Sequence, residues 1–175
     1  MSSQRWPQSH PAADGLMSIG AAAVQVAESS LFAYAELCES ARFAELLHTR
    51  AADEPWLAAT VGFSGPFEGA AHLALPRAVA ADLAGAFSGS RPDELSARHV
   101  TDFTGELANM VCGRWLTETH RDARFDLAAP LVTHTATAAV ARTMHATPDA
   151  IGLSLNDAPV LIALVPGPRR DAPRR

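Results

Sequence analysis

Residues 57–75 read LAATVGFSGPFEGAAHLAL. Two runs of small and branched apolar residues, 57–64 and 67–75, flank Gly65-Pro66, a pair that punctuates a chain as a tight turn. The pattern predicts a β-hairpin. Downstream, AIGLSL (150–155) and PVLIALV (159–165) flank Asn156-Asp157, a second pair suited to a hairpin turn. Strands joined by hairpins form antiparallel sheets. Helical periodicity before and between the hairpins then makes the expected class α+β, an antiparallel β-sheet packed with helices.

The helical segments lie on either side of the first hairpin. GLMSIGAAAVQVAES (15–29) carries Ala, Val and Ile at helical spacing. Pro76 opens RAVAADLAGAF, a short amphipathic helix with proline in its first turn. Gly89-Ser90-Arg91-Pro92 should end that helix and start a longer one, capped by Ser90, with Asp93 and Glu94 at the positive end of its dipole. That long helix is expected to run to about residue 119. Residues 30–50 read equally as strand or helix. FDLAAPLVTHTATAAV (125–140) is rich in β-branched residues and alternates, so it is expected to be extended. Residues 1–14 and 166–175 are polar or proline-rich and are expected to be loose tails around one domain, 15–165.

Composition narrows the chemistry. The chain has 175 residues, a length suited to one domain, and 48% of them are hydrophobic. Net charge is −5, which gives no electrostatic case for nucleic acid, and all 14 basic residues are Arg. A chain without lysine forms no Schiff base. Cys38 and Cys112 stand far apart and read as two reduced thiols of a cytoplasmic protein. No apolar run is long enough to span a membrane. The histidines show no metal-ligand spacing, no serine sits in a G-x-S-x-G elbow, and Trp6, Trp56 and Trp115 are too scattered for a base-stacking platform.

The chemistry concentrates in TDFTGELANMVCGRWLT, residues 101–117. On a helical wheel at about 100° per residue, Val100, Phe103, Leu107, Met110 and Val111 form a core-facing arc. Asp102, Glu106, Asn109 and Gly113 form a second stripe beside it. Glu106 and Asn109 therefore sit one turn apart where core meets solvent. Asn is a mediocre helix former, and this chain uses it only at 109 and 156. Gly105 and Gly113 each cost about 1 kcal/mol against Ala in a helix interior, so close approach of another group should offset them.

These residues resemble the signature helix of the CheC/CheX/FliY phosphatases of bacterial chemotaxis: an acidic residue or Ser, three residues, Glu, two residues, Asn. Asp102, Glu106 and Asn109 occupy those positions. Residues 62–87 and 124–132 resemble the family's strand–turn–strand–helix unit and the approach to its later strands. A single Glu-x-x-Asn motif makes the chain more similar to CheX, which works as a homodimer, than to the two-motif CheC type. The resemblance implies hydrolysis of the aspartyl-phosphate of a CheY-like receiver domain. Asn109 would position the water and Glu106 would pair with a receiver lysine. Asp102 and Gly113 would help dock the receiver. No cofactor is implied on this chain, since the receiver brings its own Mg2+. A module that binds receivers without hydrolysis, or that only dimerises, is the alternative.

Overall fold

The computed structural model describes the backbone over residues 11–147 and 150–167, and side chains from Ile19 onward. In chain order the elements are α1 (Pro11–Ser30), β1 (Ala35–Cys38), α2 (Ser40–His48), β2 (Pro55–Ser64), β3 (Gly69–Pro76), α3 (Arg77–Ser88), α4 (Ala97–Thr119), β4 (Asp126–Leu127), β5 (Leu131–Ala136), α5 (Thr137–Ala146), β6 (Ala150–Leu155) and β7 (Ala158–Pro166). All strand pairings are antiparallel, in the order β1-β6-β7-β3-β2-β4, with β5 also paired to β2. The fold is the α+β class expected from the hairpins.

Both hairpins form. Phe63 faces Gly69 across the first. Asn156 and Asp157 both take positive φ, 47° and 63°, the left-handed conformation that a two-residue turn requires. Asn156 also ties the turn to its neighbour: its Oδ1 accepts from the Tyr34 backbone N–H at 3.0 Å.

Alternation along the strands sends side chains to opposite faces of the sheet. Ala59, Val61 and Phe63 of β2 and Ala71, Leu73 and Leu75 of β3 are buried in one cluster with apolar residues of α1, α3 and α4. Trp56, Ala74 and Leu161 point the other way and are buried with Phe43, Leu46 and Leu47 of α2 and Val140 of α5. The sheet thus has two covered faces, and α4 lies on the first of them.

Four local expectations are corrected. Helix α1 begins at Pro11, so residues 11–14 belong to its first turn rather than to a loose tail. At the other end β7 runs through Pro166, and Gly167 donates its N–H to the Glu68 carbonyl. The remaining residues of both expected tails, 1–10 and 168–175, lie outside the described residues. The ambiguous segment 30–50 divides into β1 and α2. Residues 92–94 form only a 3-10 turn, and α4 is capped by Ser96, whose hydroxyl accepts from the His99 N–H at 3.2 Å, not by Ser90.

The fourth correction concerns 137–140, expected to be extended and found as the first turn of helix α5, Thr137–Ala146. Its β-branched residues misled the local reading, because tertiary contact outweighs propensity here. Buried Thr137 accepts from Trp56 Nε1 at 2.9 Å, and Val140 packs on the second face of the sheet. Helical spacing is what turns Val140, Ala141 and Met144 together onto that face.

Candidate functional site

Helix α4 is buried along more than one line. Val100, Phe103, Leu107 and Val111 are buried as the wheel predicts, and so are Thr104, Gly105, Ala108, Cys112, Trp115 and Leu116; Met110 is only half-buried. The helix is wedged between α1 and the sheet, which leaves a narrow outward strip. That strip carries the predicted stripe: Asp102 and Glu106 are exposed, and Asn109 and Gly113 are half-buried. Glu106 and Asn109 are three residues apart, which places them as neighbours on the helix surface.

Their surroundings differ. Asp102 takes an ion pair from Arg98 at 3.5 Å, both side chains well exposed, a contact weak enough to exchange for another partner. Glu106 has no hydrogen bond or ion pair among the described residues. Asn109 is more unusual, because its Oδ1 is buried and has no hydrogen-bond partner among the described residues. A buried polar atom without a partner costs about 1–3 kcal/mol and calls for an explanation.

The two glycines of α4 do different work. A Cβ on Gly105 would lie 3.0 Å from Pro130 Cβ and 3.3 Å from Val132 Cγ2, so the segment after β4 closes on the helix there. A Cβ on Gly113 would meet only Leu127 Cδ1, at an ordinary 3.7 Å. Packing within the chain therefore explains Gly105. It does not require a glycine at 113.

What closes on the helix is a β-bulge. Phe63 pairs with Leu127 and Thr60 with Leu131. Two residues of β2 thus face three of the partner segment, Ala128, Ala129 and Pro130. One residue is extra, as in a bulge. The Ala128 N–H still bonds the Gly62 carbonyl at 2.8 Å, so the extra residue falls at Ala129–Pro130. A one-residue insertion inverts which side chains face which side. Leu127, opposite buried Phe63, and Val132, opposite buried Ala59, both face α4 because the bulge lies between them.

Other reactive groups are excluded from nucleophilic roles by burial. The Cys112 thiol is wholly buried and its pKa is pushed up to about 12, so it stays protonated. Burial also raises the Cys38 thiol. Among the described residues no three His, Cys, Asp or Glu side chains gather as a metal site. A surface depression of about 580 Å3 is lined by Gly62, Ser64, Glu68, Asp126 and neighbours, and includes neither Glu106 nor Asn109. The candidate site is a ridge with a trough, suited to a macromolecule rather than an enclosed small ligand.

At the C-terminus of α4, His120 stacks edge-on with Phe67 at 4.9 Å and lies 5.7 Å from Phe125 and 6.2 Å from Trp115. Burial lowers its pKa, and burial also lowers that of His72, whose Nδ1 lies 2.7 Å from Thr60 Oγ1. Both folded values lie below the ordinary 6.5, so the neutral rings favour the native state above that pH, and this contribution is lost as pH falls through the folded values. Thermal midpoints are therefore expected to drop between pH 7.5 and 5. In His120→Gln the drop should be shallower, as melting curves across that range would show.

The antiparallel sheet with α4 on one face and an outward strip along that helix is the architecture expected of the chemotaxis phosphatase class that the sequence resembles. Residues 57–151, which hold the whole strip, match the family described as chemotaxis phosphatase CheX, and the chain belongs to that family. No curated protein matches it in sequence. Among solved structures it is similar to the chemotaxis protein CheX from Vibrio vulnificus, with 18% identity, 90% of this chain and 99% of that one covered, and a TM-score of 0.63. It is also similar to CheX from Desulfovibrio desulfuricans (14% identity, 88% and 99% covered, TM-score 0.59) and to the CheX–CheY–BeF3–Mg2+ complex from Borrelia burgdorferi (14%, 87% and 97%, 0.55). At these identities the structural likeness speaks for the fold.

Proposed function

We propose that this chain hydrolyses the aspartyl-phosphate of a CheY-like receiver domain, with Asn109 positioning the water and Glu106 docking the receiver. The observation that carries this reading is the amide of Asn109, half-buried with an unpartnered Oδ1, one turn from a carboxylate that also has no partner. An amide offers both an acceptor for a water proton and donors for a phosphoryl oxygen, and it adds no charge to repel the phosphate. Hydrolysis of a phosphoryl group needs mainly positioning and electrostatic support, and an outward helix strip supplies the first. The receiver brings its Mg2+, and this chain adds the amide and the carboxylate. The complex from Borrelia burgdorferi, a relative in fold bound to CheY with BeF3 and Mg2+, supports this partner.

Glu106 would face a receiver lysine. A carboxylate and an ammonium brought together as water leaves attract more strongly than in bulk solvent. Asp102 exchanges Arg98 for the partner or orients it, and Gly113 admits the receiver's backbone. The reading also includes a homodimer, formed where the outer edges of β1 or β5 invite pairing, and a cytoplasmic setting, which suits two free buried thiols.

The test is the decay of a radiolabelled phospho-receiver from the same organism, with and without the protein. Faster decay supports the phosphatase, whereas binding without faster decay selects the non-catalytic module. Glu106→Ala is expected to raise KM about tenfold, the worth of one charge-assisted contact, and to weaken the dependence of KM on salt. Unchanged KM and salt dependence would remove Glu106 from docking.

A further inference from the structure

Asn109 lies between Gly105 and Gly113 at four-residue spacing, so all three share one side of α4. Gly105 lies against Pro130 and Val132, and Gly113 against Leu127. The eight steps from residue 105 to residue 113 rise about 12 Å, and the facing chain runs back over the same length. Asn109 therefore stands opposite the bulge at Ala129, at the foot of a wall formed by Leu127, Ala129 and Pro130. All three wall residues are exposed at their outer surface and none is charged. A group that approaches the amide from this side passes over the wall.

We propose that Leu127, Ala129 and Pro130 form the second half of the receiver-docking surface and select receivers that present an apolar side chain beside the phosphorylated aspartate. The inference rests on the phosphatase reading above and adds to it a specificity surface outside α4. The surface has two chemistries: a carboxylate rim at Asp102 and Glu106 on one side of Asn109, and an apolar rim on the other. The matching partner carries a cation and an apolar contact on opposite sides of its phosphoryl group. The bulge is the device that builds the apolar rim. Without the extra residue, alternation would turn Leu131 rather than Val132 toward the helix and carry Pro130 to the far face.

Leu131 supplies an internal control. It is the more exposed leucine, at 66% against 36% for Leu127, yet it pairs with Thr60 and points to the opposite face of the sheet. Steady-state hydrolysis of a phosphorylated receiver separates the two. Leu127→Ser is expected to raise KM about tenfold with kcat unchanged, because an apolar contact made equally before and during reaction is lost. Ala129→Asp, at an exposed position that folding does not need, should do the same or more. Leu131→Ser should leave both constants unchanged. If Leu127→Ser and Ala129→Asp keep wild-type KM while Asn109→Ala has lost turnover, the wall is not part of the docking surface and the phosphatase reading survives. If Leu131→Ser raises KM as much as Leu127→Ser, the effect is general stickiness and the proposal falls. If Asn109→Ala keeps full turnover, both readings fall together.

Discussion

Asn109→Ala is expected to lower the turnover of a phosphorylated receiver on the order of 100-fold or more while making the protein more stable. The two effects share one cause. On the proposed reading the amide positions the water for attack on the phosphoryl group, so its removal takes away the positioning that the reaction uses. In the free protein the same placement leaves Oδ1 buried without a partner, a penalty of about 1–3 kcal/mol. Ala removes that penalty and gains up to about 0.7 kcal/mol of helix propensity. Some contact area is lost in exchange. A net rise of a few degrees in thermal midpoint follows, since about 1 kcal/mol moves a domain of this size by roughly 2–4 °C. Phospho-receiver decay and a thermal melt on the same sample check both halves. Asn109→Asp refines the result. It keeps an acceptor of the same shape but adds a charge that repels the phosphoryl group, and it should be nearly as slow as Ala. A variant that loses stability and activity together would make Asn109 a structural residue.

The second large effect is expected in stability. Trp115 is 2% exposed and packs edge-on against Phe63, with ring centroids 5.5 Å apart. It joins the C-terminal half of α4 to β2, the strand that also carries the bulged segment. Trp115→Ala should cost about 3–5 kcal/mol, since a large ring is removed from a site that closes only partly around the void. Domains of this kind hold about 5–15 kcal/mol in total, so the variant would be marginal at physiological temperature. Trp115→Phe should avoid much of that loss by keeping an aromatic ring against Phe63. Chemical denaturation monitored by circular dichroism measures both. A loss below about 1 kcal/mol for Ala would mean that α4 is fixed mainly by its contacts with α1.

The contrast between Gly105 and Gly113 shows how structure refines a sequence signal. Both looked like helix glycines that some close approach must explain. One is explained inside the chain, by Pro130 and Val132, and the other is not. The unexplained one lies on the outward strip beside Asn109, where the proposed receiver would approach. Wheel geometry gives only the angle of each around α4 and nothing of what stands opposite.

The sequence by itself determined the antiparallel hairpins, the C-terminal end of α4 and the stripe of Asp102, Glu106, Asn109 and Gly113, because turn residues and periodicities of 2 and 3.6 act within a few positions along the chain. It also marked Asn109 as out of place in a helix. Tertiary structure alone decided the rest. The strand-like sequence of 137–140 became the first turn of helix α5 because Trp56, about eighty positions earlier, offered a buried partner for Thr137. The bulge at Ala129 exists only as a mismatch between two strands some sixty-five residues apart, and no local pattern encodes a register. The unpartnered oxygen of Asn109 likewise arises from what packs around α4, a property of the assembled layers rather than of any segment within them.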